Sequence, residues 1–419
     1  MFLSRTYHRA QSVYREYPRQ FWVVVGANFV DRIGGALIFP FFALYITRRF
    51  EVGMTEVGIL FFLFSITDLI GNMLGGALTD FLGRKRVIII GLVVSGLTSL
   101  GMALMNTIEW FYVMGVISGL FATASRPAHQ AMLTDLLPEN KRADGFGVMR
   151  VAANLAVAIG PAIGGFVAAY SYLVLFAADT ITSLITAAIV YVVVDETAPV
   201  RDSDQEQTSL RDTFKGYRMV LQDRMFIIFV VISTLGTIVY TQMYSTLSVY
   251  LRDVHGVPEA GYGWLMTLNA GMVVLFQFMI TRRISKFPPM AVMAFGSLLY
   301  VLGFGLYGFV TVYALFMLAM AVITIGEMVV VPVSQSYVGE VAPENMRGRY
   351  MGVMGFSWMI PGMIGPLAAG LIMDNFNPNW VWYACAVLGT LSMLGFLWLN
   401  RQHRQKSTVV DYTPESVLS

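Results

Sequence analysis

Apolar residues run along this 419-residue chain in blocks too long for a soluble fold. Residues 225–251, 287–326, 350–373 and 375–400 contain no Asp, Glu, Lys or Arg. About 20 predominantly apolar residues carry a helix across a bilayer core, so the 287–326 run holds two crossings and each of the others one. Polar breaks divide the rest of the chain in the same way. They predict twelve spans, about 21–46, 56–80, 86–106, 110–135, 144–168, 172–194, 225–250, 260–281, 289–311, 313–338, 349–373 and 380–400. The expectation is an all-α polytopic membrane protein.

Charge in the loops orients the spans. One set of loops, together with both tails, carries 22 Lys and Arg; the opposite set carries three, Arg48, Arg49 and Arg252. Basic loops stay on the cytoplasmic side, which places both termini there and the chain in the cell membrane, inner or plasma. Arg5, Arg9, Arg15 and Arg19 precede the first span without the short apolar region and cleavage site of a signal peptide, so residues 1–20 read as a retained cytoplasmic tail. The longest polar segment, 195–224, is a central cytoplasmic linker whose second half reads as an amphipathic surface helix or a plain tether. It separates six spans in 21–194 from six in 225–400, and 401–419 form a second tail. Composition agrees: 56% of residues are hydrophobic and 13% charged, against about 25% charged in soluble domains. A net charge of only +2 gives no basic field for nucleic acid.

The two sets of spans are repeats. Residues 127–165 and 332–370 align without a gap at an offset of 205, with thirteen identities that include Pro127/Pro332, Arg142/Arg347, Gly160/Gly365, Pro161/Pro366 and Gly165/Gly370. Two six-helix bundles with equal loop polarity are parallel repeats, an arrangement that places a substrate site near the bilayer midplane and works by rocking one repeat against the other. The proline and glycines of "IGPAIGGFV" (159–167) would mark a turn in water. In lipid, neighbouring helices and local adjustments satisfy the interrupted backbone, and small residues four apart let another helix come close.

On these motifs the chain resembles the major facilitator superfamily, and within it the bacterial 12-helix drug/proton antiporters of the multidrug efflux type. "GGALTDFLGRKRV" (75–87) is similar to the family's loop motif, with Gly76, Asp80, Gly83, Arg84 and Lys85 in its positions and Phe81 where a basic residue is usual. "AIGPAIGGFV" is similar to the antiporter motif through Gly160, Pro161, Gly164 and Gly165, and "LIFPFFALYI" (37–46), with Pro40, is similar to a first-span proline motif. The resemblance implies two pseudo-symmetric six-helix bundles and a conformational latch at Asp80. That carboxylate can pair with Arg84 or accept from the first amides of a helix beginning near Gly348. It also implies a cavity receiving Tyr240, Gln242, Tyr244, Asn269 and Trp358. Aromatics and the 26 methionines suit amphipathic substrates of varied shape.

Ionisable residues inside a membrane are costly, so each is a functional candidate. Span interiors hold Asp31, Asp68, Asp179 and Glu327, with Arg32, Arg126 and Arg150 as bases. Burial favours a neutral carboxyl and a nearby arginine a charged one, so an acid that gains and loses an arginine contact binds and releases a proton. Asp31 and Asp68, with Arg32 as switching partner, fit that role; a static ion network fits the same residues. Arg126 and Arg150 read as structural. Glu327 has no arginine in the interior of any second-half span and suits proton coupling or attraction of a cationic substrate. A protonated carboxyl that bonds a neighbouring helix is its other reading.

No loop of the phosphate-cradling form glycine, four residues, glycine, lysine and Ser/Thr occurs, which argues against ATP as the energy source. One cysteine, Cys385, and four scattered histidines build no metal site, and neither a cofactor nor enzymatic activity is expected. The function implied is proton-coupled export of hydrophobic or amphipathic compounds, cations among them, by alternating access in a monomeric carrier whose partners are a small-molecule substrate, protons and the lipid bilayer. The alternative is a transporter of the same fold for one metabolite, peptide or lipid, by export or symport.

Overall fold

The computed structural model describes residues 16–197, 217–343 and 346–410; the rest of both tails and the linker stretch 198–216 lie outside the described residues. Linker residues 217–222 are helical. Among the described residues there is no strand, and twelve helices are long and apolar enough to cross a membrane. These are α1 (Arg19–Phe50), α2 (Met54–Leu82), α3 (Arg84–Leu104), α4 (Ile108–Leu136), α5 (Arg142–Tyr170), α6 (Tyr172–Val193), α7 (Arg224–Ser245), α8 (Glu259–Ile284), α9 (Pro289–Tyr307), α10 (Tyr313–Val341), α11 (Arg347–Asn375) and α12 (Trp380–Val410). Several overshoot the predicted spans, because backbone hydrogen bonding continues past the apolar stretch into polar turns such as Arg282 and Arg283 of α8. Met73, Leu275 and Phe278 are 73, 72 and 81% exposed, a surface stable only against lipid.

The chain splits into two compact units. One combines Met1–Val52, Phe62–Ser203 and Pro258–Trp264; the other combines Gly53–Phe61, Asp204–Val257 and Leu265–Ser419. In the first, α1 packs on α5 and α6, and α3 on α4 and α6. In the second, α7 packs on α11 and α12, and α9 on α10 and α12, which is the same scheme six helices later. Each unit therefore repeats the other's architecture, as parallel repeats require.

Small residues set the helix separations. A side chain at Gly160 would strike Ala36 and one at Gly164 the Leu37 carbonyl, so the glycine face of α5 is spent on α1. Gly365 does the same for α11 on α7, where an added Cβ would come within 3.2 Å of Thr241 Oγ1. The leading helix of each unit also breaks at one register. α1 passes through a 3-10 turn at Phe39–Phe41, where Pro40 supplies no backbone donor. α7 ends at Thr246, 205 residues after Phe41, and a short helix, Leu247–His255, continues from it. No proline stands there; Thr246 Oγ1 instead donates to Gln242 Oε1 at 2.6 Å, and Ser245 Oγ to the Thr241 carbonyl at 3.1 Å.

Helix starts are capped by acids distant in sequence. In the second unit, Asp374 at the end of α11 accepts from the amides of Met54 and Thr55 at 2.9 and 2.7 Å, satisfying two orphan donors of α2. In the first, Glu196 accepts from the amides of Arg84 and Lys85 at 2.9 and 3.2 Å and caps α3. Gly83 makes this possible: its φ is +90°, a conformation open to glycine, and a side chain there would collide with the Glu196 carboxylate. Gly83→Ala is expected to destabilise the protein by about 1–3 kcal/mol, which thermal unfolding in detergent would report. An unshifted transition would show that the turn tolerates a side chain.

Candidate functional site

The second unit gathers its polar side chains around Glu327, at the middle of α10. Tyr240 Oη of α7 donates to Glu327 Oε1 at 2.9 Å, and Asn269 Nδ2 of α8 donates to Glu327 Oε2 at 2.8 Å. Asn269 also donates to Thr324 Oγ1 at 3.1 Å, and Thr324 is anchored on the Met320 carbonyl at 2.7 Å. Tyr240 and Tyr244, one helical turn apart on the same face of α7, have hydroxyls 3.3 Å apart. Around the Tyr240 ring stand Trp358 of α11 and Tyr300 of α9, each with ring centroids 5.9 Å away, and Tyr244 at 5.8 Å. Trp358 keeps 42% of its surface exposed, so the group is open on one side.

The chemistry of this cluster follows from what it lacks. Glu327 holds one neutral donor on each oxygen, and none of the recorded ion pairs among the described residues reaches it. A carboxylate without a counter-charge in an apolar surrounding gains strongly from a proton or from an organic cation, and the ring faces add cation–π attraction for the latter. Both would take the same two oxygens. Tyr240, Tyr244, Asn269, Trp358 and Glu327 thus come together. Gln242 does not: two residues beyond Tyr240 it points the other way, donates to the Ile238 carbonyl at 3.1 Å and lies buried against Gly365. Sequence reasoning missed Tyr300 and Thr324. Their signal was a polar hydroxyl within the charge-free run 287–326.

The first unit pairs its charges differently from expectation. Asp31 Oδ1 accepts from Ser183 Oγ of α6 at 2.7 Å, whereas Arg32, the expected switching partner, donates to Asn28 Oδ1 at 3.3 Å. Consecutive residues diverge by about 100° around a helix, so Arg32 is near Asp31 without a direct bond to it. The acid–arginine pair is Asp68 of α2 with Arg126 of α4, 3.8 Å apart and 43 and 60% exposed. Arg126, read from sequence as structural, thus stands beside a candidate coupling acid. Close packing brings it there, with Gly71 against the Leu120 carbonyl and Gly75 against Ala124.

At the loop motif Asp80 is exposed, and the carboxylate partner of Arg84 is Asp135, with Nε to Oδ2 at 3.1 Å, rather than Asp80. Thr197 Oγ1 donates to the same Asp135 oxygen at 3.1 Å, and Lys85 Nζ lies 5.4 Å from the centre of the Tyr191 ring. A side chain added at Gly76 would meet open space, so that glycine is not needed for packing. Gly165 lies against Gly263 backbone to backbone, and Pro161 sits inside α5 without ending it. Among the described residues, no three His, Cys, Asp or Glu assemble as a metal-binding group.

Known proteins match this architecture. Residues 24–262 and 249–417 each match the family described as Major Facilitator Superfamily. The chain is 30% identical over 421 residues to a Na(+), Li(+), K(+)/H(+) antiporter of Planococcus maritimus, covering 92% of this chain and 96% of that protein. It is 24% identical over 392 residues to the quinolone resistance protein NorA of Staphylococcus aureus (strain MSSA476), covering 93% and 98%. Among solved structures it resembles the nucleoside transporter NupG, with a TM-score of 0.74 at 14% identity over 91% of this chain and 99% of that one. It likewise resembles a peptide transporter, POT, in complex with sulfate, with a TM-score of 0.74 at 13% identity over 93% and 95%. These relatives are transporters rather than enzymes. Twelve apolar helices in two repeated bundles and a family match over most of the length lead to one conclusion: the chain is a multi-pass membrane transporter and belongs to the major facilitator superfamily.

Proposed function

We propose that this protein is a proton-coupled exporter of hydrophobic or amphipathic compounds, organic cations among them, working by alternating access in the cell membrane with both termini cytoplasmic. The observation that carries the reading is Glu327 held by Tyr240 and Asn269 and lined by the rings of Tyr240, Tyr300 and Trp358. One carboxylate open to either a proton or a cation makes the two compete. Competition at a single site suffices for antiport, since arrival of one ligand expels the other. Asp68 with Arg126 offers a second protonation site in the first unit, and the latch role of Asp80 rests on the family resemblance of its loop motif.

The relative at 30% identity favours a second reading, exchange of alkali cations for protons. Against it stands the character of the lining. Hard cations take oxygen-rich shells, whereas rings around a single carboxylate suit a soft organic cation. Proteoliposomes with an imposed pH gradient separate the readings. Proton release on adding several unrelated lipophilic cations is the expected result. A response to Na⁺, Li⁺ or K⁺ alone would favour the second reading, and a response to one hydrophilic solute alone would remove both.

A further inference from the structure

Beside Tyr240, on the side of the second unit that holds the start of α7, helices α7, α9, α10, α11 and α12 line a partly open pocket with an inner space of about 30 Å³, and Tyr300 and Trp358 of the aromatic group form part of its wall. At about 10–15 Å³ for each water it has room for roughly two. Hydroxyls enter it from four helices: Ser233 and Thr237 of α7, Ser297 of α9, Ser334 of α10 and Ser392 of α12. Most are tied to backbone, Thr237 to the Ser233 carbonyl at 2.9 Å, Ser334 to that of Val331 at 2.9 Å and Ser392 to that of Ile232 at 3.1 Å, with Ser297 Oγ 3.4 Å from Ser392 Oγ. Ser233 is different. Its hydroxyl is buried without a hydrogen-bond partner. A confined water needs two to four polar contacts, and this wall offers them on several sides. Tyr240 belongs to the same wall and donates to Glu327 Oε1.

We propose that this pocket holds a short water relay that carries protons between Glu327 and the start of α7. The inference rests on Glu327 being the coupling carboxylate. For uptake, a hydronium in the cavity gives a proton to the phenol oxygen of Tyr240 while the Tyr240 hydroxyl proton moves to Glu327 Oε1. One O–H bond breaks and one forms at Tyr240, one forms at Glu327, and a neutral water is left. Release is the reverse.

Two substitutions test it in the reconstituted full-length protein. Gly236→Ala sets a methyl group 3.2 Å from Ser392 Oγ, within the cavity. Ser233→Ala removes the unpartnered hydroxyl and breaks no recorded protein bond. Each is expected to slow proton release after a jump in tetraphenylphosphonium by about tenfold or more, below the roughly hundredfold of losing a proton-transfer group outright, while equilibrium binding of that cation at fixed pH is unchanged. If both variants release protons at the parental rate while Glu327→Gln releases none, the relay is wrong and the coupling role of Glu327 stands. If Glu327→Gln also releases protons normally, the coupling role itself fails and the relay with it. Loss of binding in step with the rate would mark a packing defect and also overturn the relay.

Discussion

Glu327→Gln is expected to abolish substrate-driven proton release, with a fall of about a hundredfold or more in coupled transport, while the protein remains inserted and folded. The reason is geometric. Glutamine keeps the length and shape of the side chain, and its carbonyl oxygen still accepts from Tyr240 or Asn269, which hold the native carboxylate at 2.9 and 2.8 Å. What it loses is the ability to bind and release a proton and to neutralise a cation. Binding of a neutral amphipathic compound should survive, whereas binding of a lipophilic cation should weaken. Proton release and ligand binding measured on one preparation read the two effects separately. Transport and proton release at the parental level would remove Glu327 from the mechanism and move attention to Asp68, whose pairing with Arg126 is the other acid contact able to open and close.

Gly164→Leu should block transport by a different route. The added side chain would meet the Leu37 carbonyl and come within 3.0 Å of the Phe41 ring, so α5 can no longer lie on α1. Overpacking of this kind costs about 1–3 kcal/mol, and more where backbone rather than a flexible side chain is struck. Phe41 closes the 3-10 turn of α1, so the displacement reaches the point where that helix bends. Gly147→Leu, on the same helix but facing open space, supplies the control and should leave the thermal transition in place. Normal transport by the Gly164 variant would show that the close approach of α5 and α1 is not required.

Glycines show where sequence reading stops. Gly160, Gly164 and Gly76 all lie in recognisable motifs, yet the first two are filled by α1 and the third faces open space. Gly83 is constrained by a positive φ and by the Glu196 carboxylate, an acid 113 positions away that reads in sequence as part of a polar linker. The break in α1 is legible from Pro40, whereas the matching break in α7 at Thr246 has no proline to announce it and depends on side-chain bonds among Thr241, Gln242, Ser245 and Thr246.

Twelve spans, the repeat at an offset of 205 and the isolation of Glu327 as the one charge in the span interiors of the second half were determined by the sequence alone. Each rests on a one-dimensional constraint: a helix must stay apolar for the thickness of the bilayer, a duplication leaves identities in register, and a charge in such a run is conspicuous. Only the tertiary structure decided the partners. It set Tyr240, Asn269 and Tyr300 around Glu327 and turned Gln242 away, gave Asp31 to Ser183 instead of Arg32, and gave Arg84 to Asp135 instead of Asp80. Side-chain direction turns by about 100° with each helical residue, and the partners of Glu327, Asp31 and Arg84 all come from other helices. Which groups meet is therefore set by how closely the helices pack, and that is settled by the small residues between them rather than by the polar residues themselves.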